Sequence, residues 1–260
     1  MVAQAVAPMT GRGPGRSVLV TGASRGIGAA VARAFAEAGD RVAVHYGASR
    51  AAAERTIGSL PGRGHVLVTA DLADPEAVRE MVETAAAALG AIDVLVNNAG
   101  IYQPHPVLEV SYEQWQRAWS DTLAVNLVGA ANATWCALRH MPAGGRIVNV
   151  ASRGAFRGEP NQPAYGASKA GLVAFGQSLA RALGPRGIAV TTVAPGWTDT
   201  DMAAESLAGP AGEARRGESP LGRVATPEEV ARAVLYLASP DAEYATGAVL
   251  DLNGASHLRM

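Results

Sequence analysis

Tyr165 and Lys169 stand four residues apart among small residues in "YGASK". If the surrounding "PAYGASKAGLVAFGQSLARAL" is a helix, the two side chains share one face, about one turn apart. The pair reads in either of two ways: two solvated side chains, or an acid and the charge that tunes it. A free phenol titrates near about 10, and a neighbouring ammonium favours the phenolate and draws that value toward neutral pH, where proton transfer is efficient. In the second reading Tyr165 gives a proton to an oxygen of a bound molecule. Spacing alone carries little weight, because any helix-rich chain offers such pairs.

The elements that must position the pair are visible in the same sequence. From Ser17 onward, short β-branched apolar runs alternate with longer alanine-rich amphipathic segments. The runs are "SVLVTG", "RVAVHY", "HVLVTA", "DVLVNN", "RIVNVAS", "IAVTTVAP" and "AVLDLNG". Continuous apolar runs bounded by Gly, Pro, Asn or Asp suit strands buried on both faces. "GIGAAVARAFAEAG" predicts a helix that stops at Gly39. "DPEAVREMVETAAAALG" predicts another, with Asp74 as N-cap, Pro75 at its first position and Gly90 at its end. "TPEEVARAVLYLAS" repeats the scheme with Thr226 and Pro227. The alternation predicts an α/β fold, a doubly wound parallel Rossmann-type sheet with helices on both faces. It forms one domain over 17–260, preceded by a loose Gly- and Pro-containing tail over 1–16.

In such sheets ligands bind in the crevice beyond the C-terminal ends of the strands. Ser152 closes "RIVNVAS" at such an end, where its hydroxyl can donate to a carbonyl oxygen. "TGASRGIG" joins the first strand to the first helix. Gly22, Gly26 and Gly28 let backbone N–H groups approach a pyrophosphate, and the helix N-terminus adds its positive dipole end. The spacing is G-x-x-x-G-x-G rather than G-x-G-x-x-G, so its position after the first strand carries the argument. With a nicotinamide dinucleotide there, Tyr165 would protonate the oxygen formed when hydride reaches a carbonyl carbon. Lys169 would also hold the ribose hydroxyls.

From Ser17 to the end the chain resembles the short-chain dehydrogenase/reductase family. The likeness rests on "TGASRGIG", "NNAG" at 97–100, "ADL" at 70–72, "YGASK", and Pro195, Gly196 and Thr198 in "PGWT". It implies cofactor contacts at Thr21, Gly22, Ser24, Arg25, Gly26, Ile27 and Gly28, at Asp71 and Leu72 beside the adenine, and at Asn98, Ala99 and Gly100. Pro195, Gly196 and Thr198 would lie beside the nicotinamide, with Tyr165 and Lys169 opposite. It also implies that Asn126 sits at a break in a long helix and anchors a relay water, completing a set with Ser152, Tyr165 and Lys169. Strand two ends "VAVHYGASR" without the acidic residue that would accept a ribose 2′-hydroxyl, and Tyr46 takes that place. NADP(H) is therefore expected over NAD(H), with Arg25, His45 and Ser49 toward the 2′-phosphate.

The C-terminal half most resembles bacterial 3-oxoacyl-acyl-carrier-protein reductases. A 3-oxoacyl thioester, with acyl carrier protein as partner at Arg139 and Arg181, is what that likeness implies, along with a homotetramer built on the Tyr165 helix and the helix before it. Ala167, Gly171 and Ala174 would let a second helix approach there. "SRGAFRGEP" departs from those reductases. Arg153 and Arg157 either recognise an anionic group or pair with Glu159. "TDTDMAAESLAGPAGEARRGESPLGR" predicts a lid over the substrate. A dinucleotide-sensing protein would need no such set of polar side chains, and an extended epimerase would carry a larger C-terminal substrate domain.

Composition narrows the classes. The net charge is −1 with signs interspersed, which offers neither a nucleic-acid stripe nor a polybasic membrane patch. No apolar run approaches the ~20 residues of a membrane-spanning helix, and no secretory leader is evident, so the cytoplasm is expected. Cys136 is the one cysteine, in an apolar run, and the five histidines are scattered, so no metal is expected.

Overall fold

A computed structural model describes residues 15–259. The predicted loose tail lies outside these residues except for Gly15 and Arg16. Arg16 is pinned: its guanidinium pairs with the buried Asp40 carboxylate at 2.7 Å and donates to the Ala238 carbonyl at 2.6 Å.

Each of the seven apolar runs folds as a strand: β1 Ser17–Val20, β2 Arg41–Tyr46, β3 Val66–Thr69, β4 Val94–Asn97, β5 Arg146–Val150, β6 Ala189–Pro195 and β7 Val249–Leu252. They pair in parallel in the order β3-β2-β1-β4-β5-β6-β7. The helices are α1 Gly26–Glu37, α2 Arg50–Gly58, α3 Pro75–Leu89, α4 Tyr112–Leu123, α5 Ala130–Ala137, α6 Gly154–Arg157, α7 Pro163–Leu183, α8 Gly209–Gly217 and α9 Pro227–Leu237.

The pleat explains why the runs are apolar throughout. Val18 and Val20 enter one core with Val31 and Phe35 of α1 and Val230 and Val234 of α9. Leu19, between them, enters the other with Met81 and Val82 of α3 and Ala137 of α5. The predicted caps form: Asp74 accepts from the N–H groups of Glu76 and Ala77, and Thr226 and Glu229 make a reciprocal capping box.

Two features of this frame build the site. The strand order reverses where β1 lies between β2 and β4, and that reversal opens the crevice at the C-terminal ends. Between α4 and α5 the helix widens into a π turn, Ala124–Gly129, a rare irregularity associated with functional positions. It carries Asn126.

Candidate active site

The turn after β1 is fixed by main chain and by buried amides. Gly22 takes φ +64°, where a side chain is strained, and a Cβ there would lie 2.8 Å from the Ala99 Cα. A Cβ on Gly28 would lie 2.2 Å from the Gly22 carbonyl oxygen. Thr21 Oγ1 accepts from the N–H groups of Asn98 and Ala99, at 3.0 and 3.1 Å. The Asn98 side chain donates back to the carbonyls of Thr21 and Gly22. The ends of β1 and β4 are thus stitched together beneath the crevice. The first-turn N–H groups of α1, on Gly26, Ile27 and Gly28, have no acceptor within the helix, which starts just after the C-terminal end of β1. This donor cradle, lined by glycine, suits an anionic pyrophosphate.

His45 is not free to play its expected part. His45 and Tyr46 are both buried, and Tyr46 packs into the core. His45 Nδ1 accepts from the Gly22 N–H at 2.9 Å, and Nε2 donates to the Ala70 carbonyl at 3.2 Å. With both ring nitrogens committed, His45 clamps the turn from below and cannot reach a phosphate above it. Burial lowers its pKa and keeps the ring neutral. The clamp also occupies the Gly22 N–H, which leaves pyrophosphate contact to the α1 first turn. Arg25 stays exposed and pairs with Asp201 at 3.3 Å. Ser49 is partly exposed just before α2. Arg50, unforeseen from the sequence, is exposed at the start of α2 and close enough to Tyr46 to interact with its phenol. The signal was present: Arg50 is a cation shortly after the end of a strand-two run that has no acid.

The remaining predicted contacts line the same edge. Asp71 is exposed, and its carboxylate accepts from the Ala73 N–H, while Leu72 is buried in the core under α3. Gly100 faces Asn126 and Lys169: a Cβ there would lie 3.2 Å from Asn126 Oδ1 and 3.5 Å from Lys169 Nζ. Pro195 ends β6, Gly196 donates to the Leu252 carbonyl, and buried Thr198 donates to the Gly196 carbonyl.

α7 carries Tyr165 and Lys169 on one face, as their spacing predicts, with Lys169 Nζ 5.7 Å from the Tyr165 ring centroid. The Ser152 hydroxyl interacts with the phenol and accepts from the Gly154 N–H at 3.0 Å. Asn126 is fully buried. Its Oδ1 accepts from the Ile101 N–H at 2.8 Å, and its Nδ2 donates to the Ile101 carbonyl and to Ser168 Oγ, both at 3.1 Å. The π turn aims that amide at the segment after β4 and at α7 together.

The electrostatics differ from expectation. Burial pushes the Tyr165 phenol up, the Ser152 hydroxyl offsets part of the rise, and the Glu159 carboxylate and Tyr102 add to it. An adjacent ammonium was expected to pull it down. Lys169 instead donates to the Val150 carbonyl at 2.8 Å, and its own burial lowers it to about 8. A buried ammonium that is itself costly to charge is a weak tuner of its neighbour.

The cleft wall holds residues that the sequence did not single out. Tyr102 meets Tyr165 edge-on at 4.9 Å and Trp197 at 6.4 Å. Segment 198–223, the predicted lid, folds as a short 3-10 turn, Asp201–Ala203, followed by α8. Arg153 and Arg157 do not form ion pairs with Glu159. Both pair with Glu218, just after α8, at 2.5 and 3.1 Å. Arg153 also donates to Ser256. This nearly buried guanidinium is committed inside the protein. Such pairings join residues some sixty positions apart, and no local pattern announces them. Gly171 meets Leu127 of its own chain, whereas Ala167 and Ala174 remain exposed on α7. Arg139 stacks on Trp135 at 3.3 Å, and Arg181 is exposed. No group of three His, Cys, Asp or Glu capable of holding a metal occurs among the described residues, and no helix among them is long and apolar enough to cross a membrane.

A parallel sheet in this order, a glycine turn at its switch point, and a Tyr–Lys helix beside it define a nicotinamide-dependent oxidoreductase: the chain belongs to the short-chain dehydrogenase/reductase family. A family model described as enoyl-(acyl carrier protein) reductase matches residues 22–257. The 3-oxoacyl-acyl-carrier-protein reductase FabG of Vibrio cholerae is 37% identical over 246 residues, covering 94% of this chain and 98% of that protein. A dehydrogenase/reductase from Sinorhizobium meliloti 1021 superposes with a TM-score of 0.88 at 37% identity, over 95% of this chain and 97% of its own. A short-chain dehydrogenase from Burkholderia cenocepacia J2315, solved in complex with NADP, gives 0.85 at 37% identity, over 95% and 99%.

Proposed function

We propose that the protein is an NADPH-dependent reductase of a ketone carbonyl, with a 3-oxoacyl thioester as the first substrate class to test. The observation that carries the reading is the convergence of Ser152, Tyr165, Lys169 and Asn126 beside the glycine turn, at the switch point of the sheet. When bound, the reduced nicotinamide supplies the hydride. The α1 first turn would hold the pyrophosphate, with Asp71 and Leu72 beside the adenine. Arg25, Ser49 and Arg50 are the groups offered to a 2′-phosphate at the acid-free end of β2. Lys169 would hold the ribose hydroxyls.

Ser152 and Tyr165 orient the carbonyl oxygen. The raised phenol keeps its proton at neutral pH, so Tyr165 stands ready to donate as negative charge develops on that oxygen. Lys169, near neutrality in its own titration, can pass a proton toward the phenol, with Asn126 fixing a relay water. Relatives named as 3-oxoacyl-acyl-carrier-protein reductases support the thioester, and neighbours solved with NADP support the cofactor. The exposed Arg139 and Arg181 suit an acidic carrier protein, the exposed Ala167 and Ala174 suit the helix pairing of a homotetramer, and the cytoplasm suits a soluble-cofactor reductase.

The test is NADPH oxidation across acetoacetyl-coenzyme A, quinones, keto sugars and ketosteroids, with Tyr165→Phe alongside. Tyr165→Phe is expected to lose at least about a thousandfold in kcat while NADPH binding by fluorescence changes little. Retained turnover in that variant would refute the acid role. A lower KM for NADH than for NADPH would refute the cofactor assignment.

A further inference from the structure

We propose that His105 is a positioning residue for the acid, holding the start of α7 in the register that presents Tyr165; the proposal rests on the reading of Tyr165 above. His105 lies outside the reacting set, yet it is only 1% exposed and makes three hydrogen bonds. Nε2 accepts from the Ala164 N–H at 3.1 Å, Nδ1 donates to the Gln103 carbonyl at 2.7 Å, and the backbone N–H donates to the Asn161 carbonyl at 2.8 Å. An amide N–H can only donate and a carbonyl can only accept, so the ring carries its proton on Nδ1.

α7 needs this help. Its first position is Pro163, which has no N–H, and Gln162 at the N-cap offers no side-chain bond. The Ala164 N–H is therefore an orphan of the first turn, and His105 caps it from fifty-nine residues earlier in the chain. The next residue is Tyr165. The same short segment touches the phenol directly, through the edge-on contact of Tyr102. Asn126 grips the segment at Ile101 by both backbone groups, and His105 ties its other end to α7. Trp115 of α4 backs the imidazole at 5.7 Å. Segment 101–105 is thus a strap, anchored at both ends, that sets the ring of Tyr165 and the helix beneath it. A shift of about 1 Å in an acid is enough to cost a large factor in rate.

Two variants divide the two ring bonds. In His105→Gln the amide oxygen can reach the Nε2 place and accept from Ala164. In His105→Asn the shorter amide keeps the Nδ1 bond to Gln103 and leaves the Ala164 N–H unpartnered. Both lose the same contact with Trp115. Using the fastest substrate of the panel, we expect His105→Asn to lose at least about tenfold in kcat with NADPH Kd within about twofold, and His105→Gln to keep at least about a third of kcat. Melting temperatures of the two should agree within a few degrees. Equal kcat in the two variants, or kcat that follows melting temperature, would overturn the proposal. If neither variant folds, hydrogen exchange on the wild type decides: strong protection of the Ala164 amide supports the cap, and exchange at the rate of a frayed helix end overturns it. An inactive Tyr165→Phe beside a fully active His105→Asn removes this inference alone, whereas an active Tyr165→Phe removes the acid and the inference together.

Discussion

The glycine turn and the predicted lid meet at Arg25 and Asp201 and are held by different means. The turn is fixed by short bonds among buried groups: His45 to Gly22, Thr21 to Asn98 and Ala99, and Asn98 back to the turn carbonyls. The predicted lid carries ion pairs, Arg25 to Asp201 and Glu218 to Arg153 and Arg157, beside the bond from the Ser219 hydroxyl to the Gly254 carbonyl. Bonds of the first kind are indifferent to salt and set atoms to a fraction of an ångström. Of the second kind, the exposed Arg25–Asp201 pair is screened by salt, whereas the pair of the nearly buried Arg153 with Glu218 is screened much less. On the function proposed above, the turn would need to be in place before its ligand arrives, whereas a lid would need to let substrate in and product out.

The largest way to break that contrast is to overfill the turn. Gly28→Ala puts a methyl 2.2 Å from a backbone oxygen and 2.5 Å from Asn98 Nδ2, and neither neighbour is a flexible chain end. We expect a stability loss of about 1–3 kcal/mol and NADPH affinity reduced by at least a hundredfold, read by fluorescence titration. Near-native affinity would mean the cradle is softer than its bonds suggest.

Next is the clamp below the turn. His45→Leu leaves the Gly22 N–H and the Ala70 carbonyl buried without partners, a cost of about 2–4 kcal/mol in stability. His45→Asn, which can still accept from Gly22, should recover part of it. The same residue gives a pH signature. Its folded pKa lies below the unfolded value of about 6.5, so the unfolded chain binds more protons in that window. The contribution of His45 is whole above about 6.5 and is lost as pH falls through the folded value, so urea midpoints measured between pH 7 and 5 should fall. His45→Asn should flatten that slope, and an unchanged slope would show that another group carries it.

The sequence anticipates features that are local in the chain. The seven strands show as continuous apolar runs because both faces are buried, and the Asp74 and Thr226 caps show because a cap lies within a few residues of what it caps. Tyr165 and Lys169 show because a helix turns four spaced letters into one face. His45 was misread because identity alone cannot tell a ring that points up toward a phosphate from one that points down into the sheet. Glu218, Tyr102 and His105 were missed because their partners are remote: the pairing of Glu218 with Arg153 depends on where a whole segment lands. The rise of the phenol through burial is not legible in the sequence, because charge spacing is written there and desolvation is not.

The lid offers the smaller effects. Glu218→Ala leaves the Arg153 guanidinium, 4% exposed, without its carboxylate, and Glu218 is itself 30% exposed, so part of that charge can find water. The expected loss is about 1–3 kcal/mol, below the full cost of breaking a buried pair. KM for the carbonyl substrate should rise more than kcat falls, because the carboxylate removed lies on the predicted lid and not on the phenol. A fall in kcat at constant KM would instead tie Arg153 to the reacting centre, whose Ser152 it follows in sequence.

The smallest effect on stability belongs to the Arg25–Asp201 pair, whose side chains are 60% and 71% exposed. An ion pair so wet contributes less than about 1 kcal/mol, so Asp201→Asn should leave the melting temperature nearly unchanged. Its consequence lies in the cofactor. Asp201 holds the guanidinium that the proposed function assigns to a 2′-phosphate, so its removal would free Arg25 for that phosphate. NADPH affinity should then rise a few-fold at low salt while NADH affinity holds, and the gain should fade as ionic strength increases. An equal change for both cofactors would place Arg25 on the shared pyrophosphate. The contrast between a fixed turn and a charged lid would then give way, at this one residue, to a lid that reaches across and helps close the turn.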